Sequence, residues 1–309
     1  MKIGLLFPGQ GSQVVGMGKD LYDEKETYRN IVKRVDDLTG LSIENITFNS
    51  TVEQLSLTKN TQIAILTMSL GILEILKENG IKTEASIGLS LGEYGALINS
   101  RAIGFDDGVK IVKVRGELMQ NLCPKGDWAM AAILGLEEAV INKELIKVTS
   151  GFVAAANFNT PGQIVISGER KAIEEASILL KEAGAKKIIE LNTSGPFHTK
   201  MLKDASDELR KELDKIAINK FETKVFKNLD GKVYTDETNV KDVLAKHIIN
   251  PVRFEEGIKE MLEMGIDTFV EIGPGKTLSG FVKRINKEVK VLNINSVESL
   301  NAALIELKA

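Results

Sequence analysis

Apolar and polar positions along the chain alternate between two periods. Residues 3–7 (IGLLF) form a short apolar run stopped by Pro8 and a glycine-rich turn, which reads as a buried strand. Helical periodicity follows around 27–38 and 60–79, the second closing at Gly80, and again over 105–121. Between the last two, residues 84–89 form a small apolar strand that runs straight into GLSLGEYGALINS, which takes helical spacing after Ser90. From 127 to 192 the order changes to strand (WAMAAILG), helix (LEEAVINKELIK), strand (FVAAANF), strand (QIVISG), helix (ERKAIEEASILLKEAG) and strand (AKKIIELN). That β-α-β-β-α-β order is the split pattern of a ferredoxin-like unit. A helix then runs to about 216, a strand lies near 223–228, helices near 240–248 and 254–264, strands over DTFVEIG and KVLNIN, and the tail is helical. Strands alternating with helices predict an α/β protein with a mostly parallel sheet, its core made of residues 1–126 and 193–309, with 127–192 inserted as a subdomain.

Bulk properties narrow the function. The 309 residues suffice for one large domain with an insertion, and 43% hydrophobic with 27% charged residues argues against long disorder. A net charge of -3 with no dense basic run gives no footprint for nucleic acid. Cys123 is the sole cysteine, which excludes an intrachain disulfide and a cysteine-rich metal site. The start MKIGLLFPGQG has too short an apolar run for a signal peptide. The longest uncharged apolar stretch, 61–73, falls short of the roughly 18 residues of a membrane span. A cytoplasmic monomer with no membrane, metal or cofactor requirement is the expectation.

Candidate chemistry centres on Gly88-Leu89-Ser90-Leu91-Gly92, which fits the G-x-S-x-G nucleophile elbow. A serine on a sharp strand-to-helix turn projects its hydroxyl from the sheet, and the helix aims unsatisfied N–H groups at an incoming oxyanion. The hydroxyl needs a base, and the chain holds two histidines, His198 and His247. His198 sits in a turn-like stretch where the insertion ends, whereas His247 closes a helix before Asn250-Pro251. The turn Phe7–Gln13 lacks the G-x-G-x-x-G spacing because position 14 is Val14, and GPGKT at 273–277 is no P-loop because position 270 is Val270. That first turn either offers N–H groups towards Ser90 or is structural. Arg115, in an apolar helical run, either snorkels to the surface or meets a carboxylate. Cys123 has no histidine near it in sequence and reads as a packed thiol.

Seven segments in order, LFPGQGSQ (6–13), GLSLGEY (88–94), VRGELMQ (114–120), AANFNTPGQIVISG (155–168), GPFH (195–198), NPVRF (250–254) and EIGPGKTL (271–278), resemble the malonyl-CoA:acyl-carrier-protein transacylase family of fatty acid synthesis. The resemblance implies an α/β-hydrolase-like core with a ferredoxin-like insertion. It implies that Ser90 carries the malonyl group as an ester, that His198 is base and then acid, and that the N–H groups of Gln10 and Leu91 form the oxyanion hole. Arg115 would hold the free malonyl carboxylate in a bidentate pair. Gly9 and Gly11 would shape the turn, and Asn157, Asn159, Phe197 and His247 would line the site. The implied substrate is malonyl-CoA, and the implied partner is an acyl carrier protein bearing its own phosphopantetheine. Two departures stand out. Leu89 replaces the family's usual histidine before the nucleophile, and His247 replaces a usual glutamine or asparagine, where a main-chain carbonyl orients the catalytic imidazole. A charged His247 close to His198 would lower its pKa. A serine esterase or thioesterase, a non-catalytic docking domain, and a transacylase of polyketide synthesis or one taking methylmalonyl are the competing readings. Against methylmalonyl, the ring of Phe197 leaves little room for an extra methyl, a discrimination of only about 1–3 kcal/mol.

Overall fold

The computed structural model describes residues 1–193 and 195–308; Ser194 and Ala309, both assigned to the core above, lie outside the described residues. The strands are β1 (Ile3–Phe7), β2 (Ala85–Gly88), β3 (Trp128–Leu134), β4 (Val153–Thr160), β5 (Gln163–Glu169), β6 (Lys187–Leu191), β7 (Lys224–Phe226), β8 (Val252–Arg253), β9 (Thr268–Ile272) and β10 (Lys290–Ile294). They make two five-stranded sheets.

The first sheet has the order β10-β9-β1-β2-β7 and every pairing in it is parallel. β1 is central, and all five of its residues are buried, as a strand covered on both faces requires. Its alternation is still visible in the packing. Ile3, Leu5 and Phe7 join a large cluster with the helices of the N-terminal half, and Leu6 joins a second cluster formed with Phe254, Ile258, Phe281 and Val282. The result is a helix–sheet–helix sandwich. The Thr58–Glu78 helix is buried on all sides from Thr61 to Leu73, which explains why its sequence shows so little amphipathicity. It ends at Asn79, with Gly80 at φ 74° just beyond, the Ile81 N–H reaching Leu76 O and the Gly80 N–H reaching Lys77 O.

The insertion forms the second sheet, β6-β3-β5-β4-β8, with the antiparallel pairings and the two helices Glu138–Leu145 and Arg170–Glu182 of the ferredoxin-like order. Ala131, Ile133, Ile164 and Ile166 pack beneath those helices. Met130, Ala132 and Val165, on the opposite face, join the main core. β8 comes from the other part of the chain and pairs in parallel with β4, Asn157 opposite Val252 and Phe158 opposite Arg253. The Arg253 guanidinium also reaches across to both oxygens of Glu138, at 2.8 and 2.9 Å.

Several elements differ from the sequence expectation. Short helices at Lys19–Glu24, Ile43–Phe48 and Val52–Ser56 lack the length to show a period. The strand expected near 223–228 stops at Phe226. A helix at Thr277–Ile285 was not anticipated behind the glycine-rich GPGK. Its first turn is capped from afar, by the Glu271 carboxylate on β9, which accepts from the N–H groups of Leu278 and Ser279.

Candidate active site

β2 ends at Gly88, and the chain turns through Leu89 and Ser90 into the Gly92–Asn99 helix. The turn is possible only without side chains at its flanks: a Cβ on Gly88 would stand 1.8 Å from the Gly92 carbonyl carbon. Ser90 itself adopts φ 54°, in the left-handed region that costs a non-glycine residue about 1 kcal/mol or more. His198 also has positive φ, 60°, and among the described residues the remaining non-glycine case is Arg101. Strain of this kind concentrates where a side chain must be aimed.

His198 Nε2 lies 2.8 Å from Ser90 Oγ, and His198 Nδ1 lies 3.0 Å from the His247 carbonyl oxygen. A carbonyl only accepts, so Nδ1 carries the proton and Nε2 presents its lone pair to the serine hydroxyl. The acid of a Ser-His-Asp triad is thus replaced by a peptide oxygen, at the end of the Val240–His247 helix. His247 contributes this carbonyl and not a cleft wall, a correction to the lining role expected of it. Its buried ring sits behind His198, with ring centroids 5.0 Å apart, and Nδ1 stands 3.3 Å from Glu93 Oε2 without hydrogen-bonding alignment. Burial above all keeps the His247 ring neutral. It therefore does not depress His198 by charge repulsion. His198 is pushed down to about 4 by burial first and by the Arg115 charge second, while its backbone contacts at His247 and Asn250 act the other way.

Arg115 decides the electrostatics. The Phe105–Asn121 helix carries it inward to 1% exposure. It does not snorkel to the surface, and among the described residues no carboxylate forms an ion pair with it, although Glu93 attracts it at longer range. Nη2 donates to Ser90 Oγ at 3.0 Å and Nη1 to Gln62 Oε1 at 2.6 Å, while Nε has no partner among the described residues. The Tyr94 ring lies 5.4 Å from the guanidinium carbon. A buried guanidinium without an acidic partner is penalised by several kcal/mol, a penalty that a bound anion removes.

The turn after β1 faces the elbow. Gly9 is obligatory there, since a Cβ would meet the Leu89 carbonyl oxygen at 2.4 Å. Gly11, at φ 106°, donates to Gln13 Oε1, and Ser12 Oγ donates to Gly9 O. The N–H groups of Gln10 and Leu91 have no acceptor among the described residues, and both residues line the same cleft. That cleft, about 480 Å³, lies between the two sheets. Ser90, Arg115 and Gln62 line it at one end with His198 and Phe197; Asn157 and Asn159 line it from the insertion, and Met119, Met130 and Val165 give it an apolar wall. The Asn159 Oδ1 atom is buried there and has no partner among the described residues. Cys123 is half-buried, burial pushes its thiol up, and it is absent from the cleft lining.

Against known proteins, the acyl transferase domain family model matches residues 5–302. The malonyl CoA-acyl carrier protein transacylase of Bacillus subtilis is 42% identical over 309 residues, covering 99% of this chain and 98% of that protein. The chain belongs to the malonyl-CoA:acyl carrier protein transacylase family. It is an acyltransferase. The crystal structure of the transacylase from Clostridium perfringens superposes with a TM-score of 0.95 at 45% identity, covering 100% of this chain and 98% of that one. A malonyl-transacylase solved in complex with a type II PKS acyl-carrier protein superposes with a TM-score of 0.95 at 34% identity, covering 99% of this chain and 100% of that one.

The candidate site also holds residues that sequence reasoning missed. Gln62 braces Arg115, and Asn228 accepts from the Ser90 N–H through Oδ1 at 2.6 Å. Glu93 is fully buried behind the elbow, accepting from Tyr234 OH at 2.5 Å and from the Asn228 N–H at 3.1 Å. Burial pushes its carboxyl up to about 7 against these two donors. No helix among the described residues is long and apolar enough to cross a membrane.

The depressed His198 pKa has a kinetic consequence. An imidazole pushed down to about 4 is mostly neutral from about pH 5 upward, so with His198 as the proposed base kcat/KM for malonyl-CoA should hold its plateau through pH 6 and decline only towards 4. An anion seated on Arg115 cancels the second cause of the shift, so the acid limb of kcat should lie above that of kcat/KM. A pH–rate profile with its limb near the ordinary imidazole value of about 6.5 would contradict the assignment.

Proposed function

We propose that the protein transfers malonyl from malonyl-CoA to the phosphopantetheine thiol of an acyl carrier protein, supplying fatty acid biosynthesis, by a ping-pong route through a Ser90 ester. The observation that carries this reading is Arg115: a buried cation with no carboxylate in ion-pair contact among the described residues, sharing the Ser90 hydroxyl with His198. A simple esterase has no use for such a charge. A substrate whose acyl group ends in a carboxylate does, and seats its thioester carbonyl beside Oγ. Gln62 holds the guanidinium so that a fork is turned into the cleft.

In the first half-reaction the Oγ proton passes to His198 Nε2 as Oγ attacks the thioester carbon. The resulting oxyanion takes hydrogen bonds from the Gln10 and Leu91 N–H groups. As the tetrahedral adduct collapses, the C–S bond breaks and His198 returns its proton to the coenzyme A sulfur. The carrier thiol then gives its proton to His198 and attacks the ester carbon, and as the C–O bond breaks His198 returns that proton to Ser90 Oγ. His198 meets each step in the form it needs because its Nδ1–H stays on the His247 carbonyl throughout. The cleft accepts a long pantetheine arm, with Asn157 and Asn159 along its wall. The relative solved with its carrier protein supports this class of partner.

Intact-protein mass spectrometry after brief mixing with malonyl-CoA tests the proposal. A malonyl-sized gain discharged by holo carrier protein is the expected result. Coenzyme A released steadily without any carrier would favour a thioesterase, and no adduct at all would remove the covalent route.

A further inference from the structure

The strand β7 stops at Phe226, opposite Ile87, one residue short of the elbow. The chain then folds into a tight turn, with the Lys227 N–H on Lys232 O and the Gly231 N–H on Lys227 O. Within that turn Asn228 is fully buried and makes four hydrogen bonds. Its side chain accepts from the Ser90 N–H (2.6 Å) and donates to the Gly88 carbonyl (2.6 Å). Its own N–H donates to Glu93 Oε2 (3.1 Å), and its carbonyl accepts from the Arg253 N–H (2.7 Å). The amide orientation is forced, since a backbone N–H can only donate and a carbonyl only accept.

The side chain therefore does what a further residue of β7 would have done. It engages the two peptide groups on either side of Leu89, at the point where the β2 ladder loses its partner. Ser90 lies just there in a conformation it does not favour. The bonds of the Asn228 main chain join the elbow to the first turn of the Gly92–Asn99 helix and to β8, the strand on which the insertion is hung.

We propose that Asn228 is a positioning residue that holds the nucleophile elbow by acting as a side-chain continuation of β7. It locks the strained Ser90 so that Oγ meets His198 Nε2 and the Leu91 N–H stays free for the oxyanion. The proposal rests on Ser90 being the nucleophile. A neutral amide is required for it. An aspartate would still accept from Ser90 but would set a second oxygen against Gly88 O, and an alanine would leave both peptide groups unpaired in a buried site.

The experiment compares wild type with Asn228→Asp and Asn228→Ala as full chains. Displacement of the nucleophile should lower kcat by about 10²-fold or more while the KM for malonyl-CoA stays within about threefold, since the Arg115 seat is untouched. Labelling of Ser90 by a fluorophosphonate, which needs no malonyl group, should slow in parallel. That arm separates the two readings: a wild type that takes the phosphonate but no malonyl overturns the substrate and leaves the clamp standing. In wild type, amide exchange should find the Ser90 N–H strongly protected and the Leu91 N–H fast, a readout that stands even where the variants fold poorly. Folded variants with kcat within about threefold of wild type, a loss confined to KM, or a Ser90 amide exchanging as fast as Leu91 would each overturn the proposal.

Discussion

Ser90→Ala should leave no acyl adduct by mass and lower malonyl transfer by about 10⁴-fold or more. The size follows from the isolation of the nucleophile. His198 Nε2 has Ser90 Oγ as its partner in the cleft, and Cys123 is absent from the cleft lining, its thiol pushed up by burial. What survives in the variant is the oxyanion site and the Arg115 seat, able to bind substrate but not to divide the reaction into two easier steps. Malonyl-CoA should therefore still bind. His198→Ala should fall almost as far, because the hydroxyl is then left without a base, and the double variant should be scarcely worse than either alone. Rates with labelled malonyl-CoA, taken beside the intact mass, check all three. Retention of a tenth of the wild-type rate in Ser90→Ala would move the chemistry to another group.

Arg115→Ala should lower kcat/KM for malonyl-CoA by about 10²–10⁴-fold, the equivalent of the roughly 3–5 kcal/mol lost when one partner of a buried ion pair is removed. Acetyl-CoA has no carboxylate to lose, so its kcat/KM should change little or rise, and the preference between the donors should narrow or invert. Competition between the two donors measures this directly. Equal losses on both would mean that the arginine serves only the Ser90 hydroxyl. Two further effects distinguish a charge from a shape. Without the guanidinium, one of the two causes depressing His198 is gone, so the acid limb of kcat/KM should move upward. The ligand-free variant Arg115→Met should be at least as stable as wild type, because an apolar side chain replaces a buried cation that has only the longer-range attraction of Glu93 to offset its burial. Thermal unfolding in the absence of substrate checks that sign.

The groups proposed to do the chemistry were legible because each is announced by local sequence. Ser90 sits in a five-residue elbow, His198 is one of two histidines, and Arg115 is a charge inside an apolar helical run. The supporting residues carry no such signal. Gln62 lies in a run that reads as a buried helix, and Glu93 reads as an acid in the first turn of a helix. Asn228 lies 138 residues from Ser90 in NLDG, a stretch any turn would use. Their roles arise from tertiary contacts, which periodicity does not encode. The Thr277–Ile285 helix escaped for a related reason, its cap being a carboxylate on another strand. Leu278, Phe281, Val282 and Ile285 do keep helical spacing, and attention to that spacing behind GPGK would have found it.

The pairing of β4 with β8 makes the insertion a poor candidate for transplantation. Its sheet borrows an edge strand from the host, and Asn157, which faces the cleft, is in register with Val252 only a few residues beyond the carbonyl that aims His198. A hinge between the two parts would have to break that ladder and the Arg253–Glu138 pair. A chimera that imports residues 127–192 from a relative must bring that relative's 247–253 segment with it, or it will exchange a substrate wall and lose the alignment of its base.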